Sequence, residues 1–210
     1  MEGWFNFEHP QIISYITDKA LISYEKALGN QNEVNYTTVH KQLRWGRDYV
    51  CSHGKSLIPR GIYKFSRTPH FTPKELKENR ILCELVFFLT QEENQEEELL
   101  PILRNSFMDG ARQYIRTQML PALYKLKVGV GLNYISPYFG PGLFSTPIEE
   151  ISEYYMFLNV KPELALLKGH MLQPLSSFLG GIYGLEEEII ISPCRNCRSQ
   201  TNCQFCLIDK

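Results

Sequence analysis

The sequence has no excess of charge of either sign. Its 210 residues include 22 lysine and arginine residues and 23 aspartate and glutamate residues, which leaves a formal net charge of -1 at pH 7. A chain with this balance offers no broad electrostatic surface to nucleic acid or to an anionic membrane, so neither is expected as a partner. Hydrophobic residues account for 43% of the chain and charged residues for 21%, proportions typical of a globular protein with its own core.

The sequence also has no segment typical of a targeting signal or a membrane span. Residues 1–10 include Glu2 and Glu8 and lack a basic cluster followed by an apolar run. The longest uncharged stretch, residues 128–148, is long enough to cross a bilayer, but its glycines and prolines would interrupt a helix in lipid several times. We therefore predict strand and loop in this stretch, and a soluble, cytoplasmic protein.

Familiar catalytic motifs are missing as well. The chain contains no phosphate-binding P-loop, dinucleotide-binding glycine pattern, serine nucleophile elbow or zinc-protease helix motif. No pattern sets a general base beside a nucleophile. The sequence therefore favours an accessory, redox or binding protein over a self-sufficient enzyme.

Hydrophobic periodicity predicts helices and strands that are interspersed along the chain, which indicates an α+β fold with a mixed or antiparallel sheet flanked by helices. Helices are predicted at residues 12–28, 37–45 (ended by Gly46), 99–126 (with a kink or break at Pro121) and 148–158. Strands are predicted at residues 57–65, 81–89 and 189–191, and residues 164–167 and 172–183 are predicted to form an antiparallel pair.

Two of these segments have unusual composition. Residues 81–89 are almost all apolar, which is typical of a central strand buried on both faces, and Glu84 is the exception. Residues 91–98 are strongly acidic and are interpreted as an exposed first helical turn. We predict one domain over residues 1–192, with a helical N-terminal part to about residue 60 and a core at 81–191, and a separate tail at 193–210.

That tail holds four of the six cysteines, Cys194, Cys197, Cys203 and Cys206. They form two C-x-x-C pairs separated by five residues, a spacing that can present four thiolates to one metal centre. A chain without a secretory signal is expected to use such a cluster for metal rather than for disulfides. Cys83, within the apolar strand, is expected to be a small core residue.

The identity of the metal stays open at this point. Zinc knuckles usually have glycine after the second cysteine of each pair, where this chain has Arg198 and Leu207. The short spacer suits a chain that wraps around a bulkier centre. These features favour an iron–sulfur cluster, most simply [4Fe–4S], over zinc, and a metal-free or disulfide-bonded tail is the third alternative.

The order of the pieces resembles the activation-domain family of cobalamin-dependent methionine synthase, in particular its small stand-alone bacterial members. Those proteins have an R-x-S-P-G-Y-G-like segment, then an M-x-P-x-K-S-like hairpin, then a C-x-x-C-x5-C-x-x-R tail. The counterparts here are residues 134–140, 171–185 and 194–206, and the resemblance covers residues 81–206.

The resemblance implies a cofactor-binding loop formed by Tyr134, Ser136, Pro137, Tyr138, Phe139 and Gly140. In the family, the arginine and the Gly-Tyr pair of this segment help to hold S-adenosylmethionine. Here those positions are Tyr134, Tyr138 and Phe139, and a tyrosine cannot replace the charge-assisted fork of an arginine. The lysine of the hairpin motif is replaced by Ser176. S-adenosylmethionine is therefore a doubtful ligand, and the loop could equally be a plain turn between elements.

The function that the resemblance implies is that of an accessory protein of corrinoid or methyl-transfer metabolism. Such a protein would dock on a cobalamin-binding protein, and its cysteine tail would hold an iron–sulfur cluster for electron transfer. The alternative is a non-catalytic adaptor or ligand-binding protein with a structural zinc in the tail.

Overall fold

The computed structural model describes residues 1–29, 36–91, 99–129, 131–144, 146–159, 165–167, 171–173 and 177–189. Five helices lie in this part of the chain: α1 (Pro10–Gly29), α2 (Tyr36–His53), α3 (Leu100–Tyr114), α4 (Leu120–Val128) and α5 (Ile151–Leu158). Seven strands accompany them: β1 (Glu2–Trp4), β2 (Arg60–Ser66), β3 (Ile81–Thr90), β4 (Tyr134–Ile135), β5 (Ala165–Leu167), β6 (Met171–Gln173) and β7 (Ser177–Leu185).

Five of the strands form one sheet in the order β1-β2-β3-β7-β4, and every neighbouring pair is antiparallel. The α+β class is therefore confirmed, with an antiparallel sheet. β1 and β2 come from the first third of the chain and form one side of the sheet. β3 pairs with β2 on one side and, on the other, with β7, which is about ninety residues further along the chain.

The central position of β3 explains its composition. Its odd-numbered side chains, including Leu85 and Phe87, join a core cluster with α1 and α3, whereas Val86 and Phe88 pack with α5 on the opposite face. Since both faces are covered, nearly every position is apolar. The predicted central strand is confirmed, and Cys83 is a fully buried core residue as expected.

The predicted helix at 37–45 is longer than expected, because α2 continues through Gly46 to His53. A Cβ atom on Gly46 would lie 2.4 Å from Cε1 of Tyr24, so the glycine allows α1 and α2 to approach closely. The prediction that Gly46 ends the helix was wrong. A glycine inside a helix and a glycine after it look the same in sequence, and only the neighbouring helix distinguishes them.

The long predicted helix at 99–126 is confirmed, with an irregularity. α3 passes into a single π-helical stretch at Ile115–Met119 and then into α4. Pro121 lies in the first turn of α4 and has no backbone N–H to donate to the preceding turn. The change from α-helical to π-helical hydrogen bonding occurs immediately before it. The predicted break near Pro121 therefore takes the form of a π turn.

The predicted antiparallel pair is confirmed only in its first part. Residues 165–167 pair with 171–173 as β5 and β6, but residues 177–185 form the separate strand β7, which lies between β3 and β4 in the main sheet. The acidic residues 92–98 and the tail from residue 190 onward lie outside the described part of the chain, and Ile189 is not in a strand. No helix among the described residues has the length and apolarity needed to cross a membrane.

Candidate functional site

The loop that the resemblance identifies as a cofactor site lies along β7. Tyr134 and Ile135 pair with Leu185 and Gly184 as strand β4, and Phe139 forms a further antiparallel bridge with Gly181. All six predicted loop residues are therefore brought together at one edge of the sheet. Their backbone is held by the sheet itself.

Ser136 is fully buried in this loop and has its hydrogen bonds within the protein. Its backbone N–H donates to the carbonyl oxygen of Tyr183 at 2.9 Å, and its Oγ accepts from the backbone N–H of Tyr183 at the same distance. The hydroxyl donates in turn to the carbonyl oxygen of Pro137 at 2.7 Å. The two hydrogen bonds between Ser136 and Tyr183 therefore join the loop to β7 where regular strand pairing stops.

The end of the loop is closely packed. Phe139 is fully buried, and its ring stacks on that of Phe144 with 4.6 Å between centroids. A Cβ atom on Gly140 would lie 2.8 Å from the carbonyl oxygen of Leu179, so only glycine allows the backbone this close to β7. This segment gives a ligand neither an open backbone nor a charged group.

Two arginines that sequence reasoning did not single out reach this loop from the helical segment at 100–128. Arg116 donates from Nε to the carbonyl oxygen of Ser136 and from Nη2 to that of Ile135, both at 3.0 Å. The guanidinium of Arg112 lies 5.4 Å from the ring centroid of Tyr138 and 4.6 Å from that of Phe178. The feature of the sequence that could have identified these two arginines is their position on the polar edge of a strongly amphipathic helix.

Tyr138 occupies the place where the family has glycine. Its ring packs edge-on against those of Phe87 and Phe178, and burial raises the pKa of its hydroxyl. Among the described residues, this hydroxyl has no hydrogen-bond partner. The side chain fills the space between the loop and the rings of Phe87 and Phe178.

Taken together, the loop residues do not fit S-adenosylmethionine. The two nearby guanidinium groups are engaged with backbone carbonyls or with aromatic rings and Asp109, and no carboxylate-binding arginine stands at position 134. Tyr134 instead donates its hydroxyl hydrogen to the carbonyl oxygen of Ile189 at 3.2 Å. The last described residue before the cysteine tail is thus joined to the first residue of the loop.

The four tail cysteines lie outside the described residues, so their donor set is judged from chemistry alone. Four thiolates in thirteen residues fit either a tetrahedral metal or a cubane cluster. In the described part, no group of three or more His, Cys, Asp or Glu side chains could hold a metal ion. Cys51 is exposed, and burial raises the pKa of the Cys83 thiol to about 12.

A second site lies on the face of the sheet covered by α5, and sequence reasoning missed it. The carboxylate of Glu84 is fully buried there, with Oε1 2.5 Å from Nδ1 of His70 and Oε2 accepting from the backbone N–H of Phe71 at 3.3 Å. Burial raises the pKa of Glu84, and the contacts with His70 and Phe71 lower it by a smaller amount. The signal available in the sequence was the single charge in the apolar strand.

His70, the exposed member of this pair, lines a cavity of about 220 Å³ between the segment at 70–74 and the start of α5, and Glu84 lies behind it. One wall carries His70 and Lys74, and the other carries Glu150 and Glu153. Phe71 and Tyr154 stack on one another at its base with 3.8 Å between ring centroids, and burial raises the pKa of Tyr154 to about 12. We call this space the Glu84 cavity.

Comparison of the chain with protein-family models, curated proteins and solved structures finds no match in any of the three.

Proposed function

We propose that this protein is an accessory protein of corrinoid or methyl-transfer metabolism, similar to the activation domain of cobalamin-dependent methionine synthase. In this proposal it docks on a cobalamin-binding protein and uses the four-cysteine tail for electron transfer. The observation that carries the proposal is the spacing of Cys194, Cys197, Cys203 and Cys206 at the end of an α+β body whose pieces follow the family's order.

The proposal derives further support from the link between loop and tail. The Tyr134 hydroxyl binds the carbonyl oxygen of Ile189, so the chain leaves the sheet beside the loop at 134–140. The proposed docking loop continues to Phe144, and its exposed residues Gly142 and Leu143 would be available for docking. A chain that passes beside the docking loop at Ile189, five residues before Cys194, would allow the tail to bring an electron donor close to a bound partner.

The tail residues have defined roles in the proposal. The four cysteine thiolates would hold the cluster, and the guanidinium groups of Arg195 and Arg198 would offset part of its negative charge. An iron–sulfur cluster supplies one-electron transfer at low potential, which is the chemistry that reduction of inactive cobalt requires. The loop would act as a docking element without S-adenosylmethionine.

The first experiment is purification of the full chain without oxygen, followed by a visible absorption spectrum and assays of iron, sulfide and zinc on the same sample. We expect a brown protein with about four irons and four sulfides per chain. A colourless protein with one zinc would overturn the electron-transfer role and favour the adaptor with a structural zinc. A chain without any metal would overturn both.

The cysteine assignment is tested by Cys203→Ser, with Cys51→Ser as the matched control. Removing one of four ligands is expected to abolish metal binding, whereas Cys51 is an exposed cysteine on α2 and its replacement should leave the metal content unchanged. Circular dichroism and size exclusion should show that the body of both variants stays folded. Collapse of the whole chain in Cys203→Ser would contradict the separation of body and tail.

The redox step is tested with protein that has been reduced by dithionite, freed of excess reductant and mixed with cob(II)alamin. Transfer of one electron converts paramagnetic cobalt(II) to diamagnetic cobalt(I), so the cobalt electron paramagnetic resonance signal should decrease with the wild-type protein and persist with Cys203→Ser. A signal that persists in both samples would overturn electron delivery even if a cluster is present.

The doubtful ligand is tested by titration calorimetry with S-adenosylmethionine. We expect no binding tighter than roughly millimolar, an affinity worth only about 4 kcal/mol. Micromolar binding would contradict the interpretation of Tyr134 and Tyr138.

A further inference from the structure

The Glu84 cavity has walls of opposite charge. The segment at 70–74 contributes an imidazole and an ammonium group, from His70 and Lys74, and the other wall contributes the carboxylates of Glu150 and Glu153. Lys74 and Glu153 are exposed at the rim, so both charges are open to a molecule that enters from solvent. A ligand with one charge would meet an unfavourable group on one of the two walls.

His70 is fixed in the cavity by the residue behind it. Its Nδ1 is 2.5 Å from the buried carboxylate of Glu84, which leaves Nε2 as the ring nitrogen for a ligand. Burial raises the pKa of Glu84, which favours the protonated form of its carboxyl group. When the protonated Glu84 carboxyl donates to Nδ1, the neutral imidazole carries its hydrogen on Nε2 and can donate it to a ligand.

A buried carboxylate in a central strand has a cost that packing alone does not explain. Replacing such a group by an apolar one is often neutral or stabilising, so its presence directly behind His70, which lines the cavity, indicates a task for the imidazole ring that it orients. The 2.5 Å contact with the Glu84 carboxyl group fixes the orientation of the His70 ring.

From these observations we propose that the Glu84 cavity binds a small zwitterion, specifically a free α-amino acid. Its carboxylate would accept hydrogen bonds from His70 Nε2 and Lys74 Nζ, and its ammonium group would donate to Glu150 and Glu153. The stacked rings of Phe71 and Tyr154 would contact its side chain. A volume of about 220 Å³ is below the range of drug-sized sites and suits a molecule of this size.

The first test is a thermal-shift and calorimetry screen of the full chain against the common protein amino acids. We expect at least one to bind and to raise the unfolding temperature. The best binder is then compared with its decarboxylated amine and its deaminated acid; for valine these are isobutylamine and 3-methylbutanoate. Loss of either charge should weaken binding about 10- to 100-fold, since each removes charge-assisted hydrogen bonds.

Paired variants test which wall binds which charge. Glu150→Gln and Lys74→Gln are expected to weaken amino-acid binding about tenfold or more, whereas Glu149→Gln and Lys77→Gln should have no effect, because Glu149 and Lys77 are exposed neighbours outside the cavity lining. His70→Gln should weaken the acid analogue but not the amine. All five changes are at solvent-accessible positions, and circular dichroism would verify that each variant folds.

Three results would overturn the proposal: no amino acid binds, the amine or the acid alone binds as tightly as the zwitterion, or the control variants weaken binding as much as the wall variants. The residues proposed to bind the amino acid all belong to the described part of the chain, between positions 70 and 154, and none is a tail cysteine. Its failure would therefore leave the metal and electron-transfer tests unaffected, and failure of those tests would leave this site standing.

Discussion

The two faces of the sheet differ in chemistry although the same strands contribute to both. On the face covered by α1 and α3, the described core consists of apolar side chains and includes Leu85, Phe87 and Ile182. On the face covered by α5, the apolar cluster is smaller and adjoins the buried carboxylate of Glu84 and the cavity at 70–74. One residue step along β3 separates the two environments.

The difference shows how a single strand serves two purposes. Side chains alternate across a strand, so a charged residue can be placed on one face without disturbing the core on the other. The face under α1 and α3 supplies stability by close packing. The face under α5 gives up some of that packing for a polar site, and we expect substitutions on the two faces to differ in both size and pH dependence.

The largest effect is expected for Phe87→Ala. Phe87 is fully buried and meets the rings of Phe5, Tyr138 and Phe178, so truncation should lower the free energy of unfolding by about 3–5 kcal/mol. Phe88→Ala, one residue further on and on the other face, should cost less because its cluster is smaller. Urea denaturation measures the free energy of unfolding of both variants. Equal losses would contradict the expected difference between the two faces of the sheet.

A smaller loss is expected for Gly110→Ala, which tests the contact between α1 and α3. A Cβ atom on Gly110 would lie 2.5 Å from the backbone carbonyl oxygen of Ile16, and a backbone cannot yield as a flexible side chain does. We expect a loss of about 1–3 kcal/mol. Gly29→Ala is the control, since nothing lies within 4 Å of its Cβ position; a similar loss there would contradict the packing argument.

Ser136→Ala is expected to cost about 1–2 kcal/mol, because it leaves the buried N–H of Tyr183 without its acceptor. The measurement distinguishes a structural loop from a ligand-binding one. Ser52→Ala, at an exposed serine on α2, is the control and should be neutral. Unchanged stability in Ser136→Ala would show that the loop is not held as the hydrogen bonds indicate.

The smallest expected effect is a pH dependence of the free energy of unfolding that arises from Glu84, on the face of the sheet covered by α5. The pKa of Glu84 is raised in the folded protein, so its contribution to stability is fully present below the ordinary carboxyl pKa of about 4.3 and is lost as pH rises through the folded pKa. Stability should therefore fall with rising pH. The groups that act on Glu84 are His70 and the N–H of Phe71, with Tyr154 and Tyr183 nearby.

Glu84→Gln should flatten that pH dependence between the ordinary carboxyl pKa and the raised pKa of Glu84, while Phe87→Ala should lower the free energy of unfolding equally at every pH. Denaturation of both variants at a series of pH values separates the pH-dependent contribution of Glu84 from the pH-independent packing of Phe87. A wild-type protein whose stability rises with pH through this window would show that Glu84 is not the group responsible.

Much of the fold followed from hydrophobic patterning. The helices at 10–29, 100–128 and 151–158 and the strands β2 and β3 have unambiguous periods or compositions, and their burial on one or both faces determines those patterns. The errors have a common cause. Gly46 and residues 177–185 are decided by partners distant in sequence, namely Tyr24 for the glycine and β3 for the strand.

The candidate sites divide in the same way. The four cysteines and the loop at 134–140 were found because their residues are contiguous or regularly spaced. The Glu84 cavity was missed because its lining comes from two separate parts of the chain, around positions 70 and 150, and Glu84 contacts His70 from a third; only the sheet and α5 bring them together.

The sequence by itself determined the element types, the burial of β3 and the presence of a four-thiolate tail, since periodicity, composition and spacing are local properties. Tertiary structure alone decided which glycines serve close packing, where β7 lies, and that the one charge in a buried strand contacts a histidine that lines a cavity. These depend on contacts between residues far apart in the chain, where a side chain's role is set by its neighbours in space and not by its neighbours in sequence.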